Sequence, residues 1–180
     1  MQFRDTQNRY GGLSRAFHWG MALLFVWQFL TVIARVLFED SALDNLLWGS
    51  HKPLGLVLMV LVVLRLFWAL ANRASRPPSL NLPARLGHLA LYLLMVLVPL
   101  LALMRQYGSG RRFEPFGLPL MAGFEGDKIE WLMTPGNWLH GNLGWALLAL
   151  IVGHIVLAMV HRRRPQDNVL PRMLGRPVGE

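Results

Sequence analysis

The sequence predicts an all-α integral membrane protein, a four-helix bundle with both termini on the cytoplasmic side. Four apolar segments of 19 to 23 residues occur in a chain of 180 residues, a length that fits a single domain over 1–180. Hydrophobic residues make up 54% of the chain and charged residues 16%, a departure from soluble domains in the direction of the bilayer. Basic residues also alternate in density from one connection to the next, as in multi-pass membrane proteins.

The four apolar segments are long enough to cross a membrane. At a rise of about 1.5 Å per residue, each matches a hydrocarbon core of about 30 Å. The first segment is too long for a signal-peptide core and has no small-residue cleavage site after it, so we expect it to be retained. Pro99 is expected to kink the third helix, and the connection Arg105 to Trp138 is expected to form a folded cap. The predicted spans are residues 16–38, 53–71, 86–104 and 139–160.

The distribution of charge predicts the orientation. The N-terminus, the second connection and the C-terminus together hold eleven basic and three acidic residues, whereas the other face, with Arg35 at the end of the first span included, holds six basic and seven acidic residues. By the positive-inside rule, both termini are expected in the cytoplasm. The formal net charge of +8 is thus explained by topology, and no nucleic-acid binding is expected.

The chain contains no cysteine and six histidines. The lack of cysteine excludes disulfides, iron–sulfur ligation and covalent haem attachment through thioethers. A histidine within a spanning helix is costly and indicates a functional site. For His88 and His161, near helix ends, an interfacial hydrogen-bonded role is the simpler interpretation, although His161 could compete for a ligand position.

The remaining histidines form two pairs at different depths. His140 and His154 lie 14 residues apart, so they share a helix face to within about 40° and are separated by roughly 21 Å along the axis. The topology places His51 at the depth of His140 and His18 at the depth of His154. Zinc prefers four clustered ligands, so two pairs favour two haem groups with bis-histidine ligation over a zinc site.

Two further features favour a planar cofactor. Gly55 and Gly144 each follow a candidate ligand by four residues, on the same helix face, where a missing side chain leaves room for a ring. Arg65 follows His51 by 14 residues, which places a cation where haem propionates would need a partner.

Several linked motifs resemble the bacterial cytochrome b561 family. They are FHW, HKPLGLVLMVLVVLRLFW, HLALYLLMVLVPL, HGNLGWALLALIVGHIVLAMVH and DNVLPRML, and together they span residues 12–174. The resemblance implies a cytochrome of the bacterial inner membrane with two haem b groups, and a superoxide oxidase activity that passes electrons to ubiquinone. It also implies that His51 and His140 hold the outer haem and that His18 and His154 hold the inner one.

Bis-histidine ligation fills both axial positions, so outer-sphere electron transfer is the expected chemistry. Superoxide would need a cationic entrance, for which Arg35, Lys52 and Arg105 are candidates; pairing of these cations with acidic groups is an open alternative.

The rival function is a quinol-linked haem subunit that serves a separate redox protein, and a non-haem scaffold or transporter would leave the histidine pairs unexplained. No motif fixes the quinone site, for which Gln28 and residues 73–85 are candidates.

Overall fold

A computed structural model describes residues 2–164 and 168–176, and this part of the chain is helical. The long helices are α1 (Gly12–Leu37), α2 (Ala42–Ala71), α3 (Leu82–Gly108) and α4 (Glu130–Arg162), followed by a short α5 (Leu170–Leu174). All four long helices have the length and hydropathy of membrane spans, which confirms the all-α, four-span prediction. Asp167, the first residue of the last family-like motif, lies outside the described residues.

All four long helices begin earlier than hydropathy predicts, and α2 and α4 do so by the most. α2 begins at Ala42 and contains Pro53, and α4 begins at Glu130 and contains Pro135. The polar and glycine-rich starts of these helices lower their hydropathy, but the side chain of Ser41 accepts a hydrogen bond from the Asp44 N–H and caps α2. With 33 residues, α4 is about 50 Å long, so its end turns extend beyond a hydrocarbon core of about 30 Å.

The bundle has two ends, which we call the termini face and the loop face. The termini face carries residues 2–11, the connection 72–81 and α5, and the loop face carries residues 38–41 and 109–129. On the loop face, a 3-10 turn at Pro115–Gly117 and an isolated bridge between Phe113 and Met121 form the cap expected from the sequence, between narrower bounds. Which face lies in the cytoplasm stays a prediction.

The termini face carries a second cap that the sequence did not predict. The Tyr10 N–H donates to the Arg172 carbonyl at 3.3 Å, and the Trp19 indole donates to the Met173 carbonyl at 3.1 Å. Asp5 is buried and pairs with Arg76 at 3.2 Å. The two ends of the described chain are therefore packed against each other.

The four long helices are arranged as two helical hairpins. α1 packs chiefly against α2, and α3 packs chiefly against α4. The backbones of α2 and α3 approach each other in fewer places, and those of α1 and α4 hardly at all. Long side chains therefore make most of the connections between the hairpins.

Glycine allows α3 and α4 to approach closely. A Cβ atom on Gly136 would lie 2.6 Å from the Leu101 carbonyl oxygen and 2.7 Å from the Arg105 Cβ atom. A Cβ atom on Gly108 would lie 2.8 Å from the Leu132 Cβ atom. Small residues at such crossings let membrane helices pack backbone against backbone.

Replacement of Gly136 by alanine should therefore destabilise the α3–α4 hairpin. Gly136→Ala is expected to cost about 1–3 kcal/mol of stability through overpacking, measured as a lower thermal midpoint of the purified protein in detergent. Gly87→Ala is the matched control, because it brings the same gain in helix propensity and its Cβ would meet nothing within 4 Å. Equal midpoints for the two variants would contradict the close approach.

Candidate functional site

His51 on α2 and His140 on α4 face each other near the loop face. Their ring centroids are 6.3 Å apart and the ring planes are inclined by 85°. Two imidazoles that bind one metal ion from opposite sides, with about 2 Å from metal to nitrogen and about 1 Å from nitrogen to ring centre, have centroids roughly 6 Å apart. The spacing of this loop-side pair therefore fits one metal ion held between two imidazoles.

The hydrogen bonds of the loop-side pair determine where each ring carries its proton. His140 Nδ1 lies 2.9 Å from the Val98 carbonyl, which can only accept, so Nδ1 is the donor. His51 Nδ1 lies 2.8 Å from the Thr31 hydroxyl oxygen. That hydroxyl also lies 2.7 Å from the Gln28 carbonyl, which can take its hydrogen and leave its oxygen to accept from His51 Nδ1–H. His140 carries its proton on Nδ1, and with the same tautomer at His51 both rings keep a lone pair on Nε2, the form that binds a metal.

The surroundings of the loop-side pair leave space on α4 and less on α2. A Cβ atom on Gly144 would meet nothing within 4 Å, whereas a Cβ on Gly55 would lie 3.4 Å from the Gln28 side-chain nitrogen, an ordinary contact. The Trp48 ring stacks on His51 with a centroid distance of 4.8 Å. A planar ring therefore has room beside α4, and the cofactor roles of Gly55 and Gly144 stay predictions.

A second cluster of imidazoles lies nearer the termini face. The ring centroids of His18 on α1 and His154 on α4 are also 6.3 Å apart, with an interplanar angle of 70°. His88 on α3 lies closer to His154, at 5.4 Å. The sequence placed His88 towards this end but not in contact with His154, because side-chain direction across a bundle is not given by spacing along one helix.

Arg65 lies beside this termini-side cluster. Its guanidinium donates to His18 Nδ1 at 3.3 Å and lies 5.5 Å from the centre of the Tyr92 ring. A donor at Nδ1 holds the His18 proton on Nε2, so ligation through Nε2 requires Arg65 to turn to an anion. A haem propionate is an anion of the right kind.

The histidines do not form a site for a small, closed metal centre. The described ranges contain no group of three or more His, Asp and Glu side chains arranged to hold a metal ion. Two turns beyond His154, His161 has a buried Nδ1 that lacks a hydrogen-bond partner within the same ranges. Facing pairs without carboxylates fit bis-histidine ligation better than a tetrahedral zinc site.

The three predicted steering residues differ in their partners. Arg35 forms an ion pair with the fully buried Asp44 and lies over the Trp48 ring. The positive charge of Arg35 is thus balanced by a neighbouring carboxylate, which is the alternative left open by the sequence. Neither the sequence pattern nor the net charge pointed to Asp44 as the partner. The geometry gives no support to steering by Arg35.

Lys52 and Arg105 belong to a positive group beside the loop-side pair. The Lys52 ammonium donates to the buried Gln106 side chain at 3.2 Å. Lys52 follows His51 directly on α2, Arg105 lies in the last turn of α3, and Arg111 follows that helix on the loop face. We call Lys52, Arg105 and Arg111 the loop-face cation cluster.

The chain is similar to known proteins over nearly its whole length. The model of the family described as "Prokaryotic cytochrome b561" matches residues 9–176. The Escherichia coli K12 protein named cytochrome b561 homolog 2 is 30% identical over 187 aligned positions, which cover 98% of this chain and 96% of that protein. The Yersinia pestis protein named probable superoxide oxidase CybB is 25% identical over 180 positions, covering 95% of this chain and 98% of that protein.

The two pairs predict separable cofactor loss. We expect about two haem groups in the purified chain, and His140→Ala should remove only the loop-side haem, whereas His154→Ala should remove only the termini-side one. His88→Ala is the control and should keep both, because the His18–His154 separation equals that of the loop-side pair. Haem content and reduced-minus-oxidised spectra measure these outcomes, and equal loss of both haems from either single variant contradicts the pairing.

Proposed function

Because this chain belongs to the prokaryotic cytochrome b561 family, we propose that it carries electrons across the bilayer through two haem b groups, from superoxide at the loop face to ubiquinone. Family membership and the four apolar helices support a multi-pass membrane protein that binds haem b and transfers electrons. The presence of two haem groups is supported by one observation above all. Two imidazole pairs with the same 6.3 Å separation share one helix, α4.

In this proposal each pair holds one haem. His51 and His140 hold the loop-side haem through Nε2, and His18 and His154 hold the termini-side haem, with Arg65 available to a propionate. Haem b would supply a one-electron iron centre, and two imidazoles that hold it would favour electron transfer over oxygen binding. The chain contributes the spacing of the two centres, roughly 21 Å along α4, and the hydrogen bonds at each Nδ1.

The proposed reaction balances over two superoxide anions. Each anion loses one electron and becomes dioxygen, and the two electrons together with two protons convert ubiquinone to ubiquinol. The loop-face cation cluster supports this direction, since positive charge beside His51 attracts a small anion to the loop-side pair. The name of the Yersinia relative, a probable superoxide oxidase, points the same way.

We place the loop face in the periplasm and the termini face in the cytoplasm of a bacterial inner membrane. The support is the excess of basic residues at the termini face. The lipid bilayer, superoxide and ubiquinone are then the partners of the chain, and no feature of the described residues identifies a protein partner. In this orientation the cation cluster faces the periplasm, the side from which superoxide would arrive.

A superoxide pulse tests the function directly. In stopped flow, superoxide should reduce the haems much faster than it dismutates spontaneously, and added ubiquinone should then reoxidise them. Absorbance of the reduced haem band against time measures both steps. Reduction by ubiquinol together with no reduction by superoxide would instead establish the rival, a quinol-linked haem subunit that serves a separate redox protein.

Substitutions that remove positive charge from the loop-face cation cluster test whether the cluster attracts superoxide. Lys52→Gln and Arg105→Gln should each lower the second-order rate of haem reduction by superoxide roughly twofold to tenfold at low ionic strength, with a smaller effect at high salt. Arg112→Gln is the matched control, because it removes one positive charge from the same face but Arg112 already pairs with Glu114 at 2.6 Å. Equal rates in the three variants and the unmodified chain would rule out steering by this cluster.

A further inference from the structure

The candidate ligand His51 is held by a polar network that comes from another helix. Thr31 lies on α1 and is 0% exposed. Its hydroxyl oxygen lies 2.8 Å from His51 Nδ1 and 2.7 Å from the Gln28 carbonyl. When the carbonyl takes the single hydroxyl hydrogen, the oxygen is left to accept from His51 Nδ1–H.

Gln28 completes the network and fixes the position of the His51 backbone. Its side-chain nitrogen donates to the His51 carbonyl at 3.1 Å, and this acceptor determines the orientation of the amide. The same nitrogen is 3.2 Å from His51 Nδ1 and 3.4 Å from His51 Nε2, so its second hydrogen can go to whichever ring nitrogen is unprotonated, and at Nδ1 it competes with Thr31. A donor there would favour the opposite tautomer, with the proton on Nε2 and no lone pair for a metal.

The shorter Thr31 contact decides this competition. At 2.8 Å the hydroxyl oxygen is the closer partner, and the threonine hydrogen is already committed to the Gln28 carbonyl. An acceptor at Nδ1 raises the basicity of the ligating nitrogen. His140 obtains the same effect from the Val98 backbone, which no substitution removes, so Thr31 is the side chain through which this property can be changed.

We propose that Thr31 is a positioning residue that fixes the tautomer of His51 and, through the basicity of Nε2, lowers the reduction potential of the loop-side haem. This inference rests on the proposed function, because it needs His51 to be an axial ligand. A stronger imidazole donor stabilises the ferric over the ferrous state.

The test is a potentiometric titration of the haem-loaded protein. Thr31→Val keeps the shape of the side chain and removes the acceptor, so the potential of the loop-side haem should rise. We expect about a tenfold change in its ratio of ferrous to ferric haem at a given potential, which corresponds to about 59 mV for one electron. Thr31→Ser keeps the hydroxyl and should restore the original potential, while the termini-side haem keeps its own value in both variants.

Ser14→Ala is the matched control. Ser14 is a buried hydroxyl on the same helix that accepts a hydrogen bond from the Trp68 indole at 2.9 Å, so the variant removes a comparable bond far along α1 from His51. It should leave the loop-side potential unchanged. A Thr31→Val protein with an unchanged loop-side potential, or with both potentials shifted equally, overturns the proposal.

Loss of haem is also decisive. If Thr31→Val lacks only the loop-side haem and Thr31→Ser keeps it, the acceptor is needed to hold the ligand and the proposal stands. If Thr31→Val fails to fold, the loop-side potential of Thr31→Ala decides in the same way. An unmodified chain that binds no haem refutes the proposed function itself, whereas a normally loaded chain without a Thr31 effect refutes only this inference.

Discussion

A neutral imidazole enclosed between membrane helices needs a polar partner for each of its two ring nitrogens, and the rest of this structure depends on that requirement. One nitrogen carries a proton and needs an acceptor, and the other carries a lone pair and needs an electron-poor partner. For His51 and His140 the first requirement is met inside the protein, by Thr31 and by the Val98 backbone. The second would be met in the proposed function by the iron of a haem held between the two rings.

The packing of the bundle is uneven. Within each hairpin the helices pack closely, and Gly136 brings α4 against α3 at backbone distance. Between the hairpins contact is left to long side chains. Close packing of all four helices would bury more apolar surface but would leave no room for a planar cofactor. The uneven packing therefore leaves space for the site at some cost in buried area.

Much of the site could be predicted from spacing along single helices. The interval of 14 residues between His140 and His154 fixed two depths, and hydropathy fixed four spans. Contacts across helices were beyond such reasoning, because threonine and aspartate in apolar segments have many possible partners. Thr31 behind His51, Asp44 beneath Arg35 and His88 beside His154 are of this kind. The early starts of α2 and α4 were missed because capping and polar first turns leave little trace in hydropathy.

The placement of α4 has a consequence for biogenesis. Each 6.3 Å pair takes one histidine from α4, which is made after α1, α2 and α3. A nascent chain that has inserted only these three helices contains the residues of the Thr31–His51 network but neither ring pair. In the proposed function, haem capture by two imidazoles therefore follows the insertion of α4, and a product truncated before residue 140 would have no complete site at either depth.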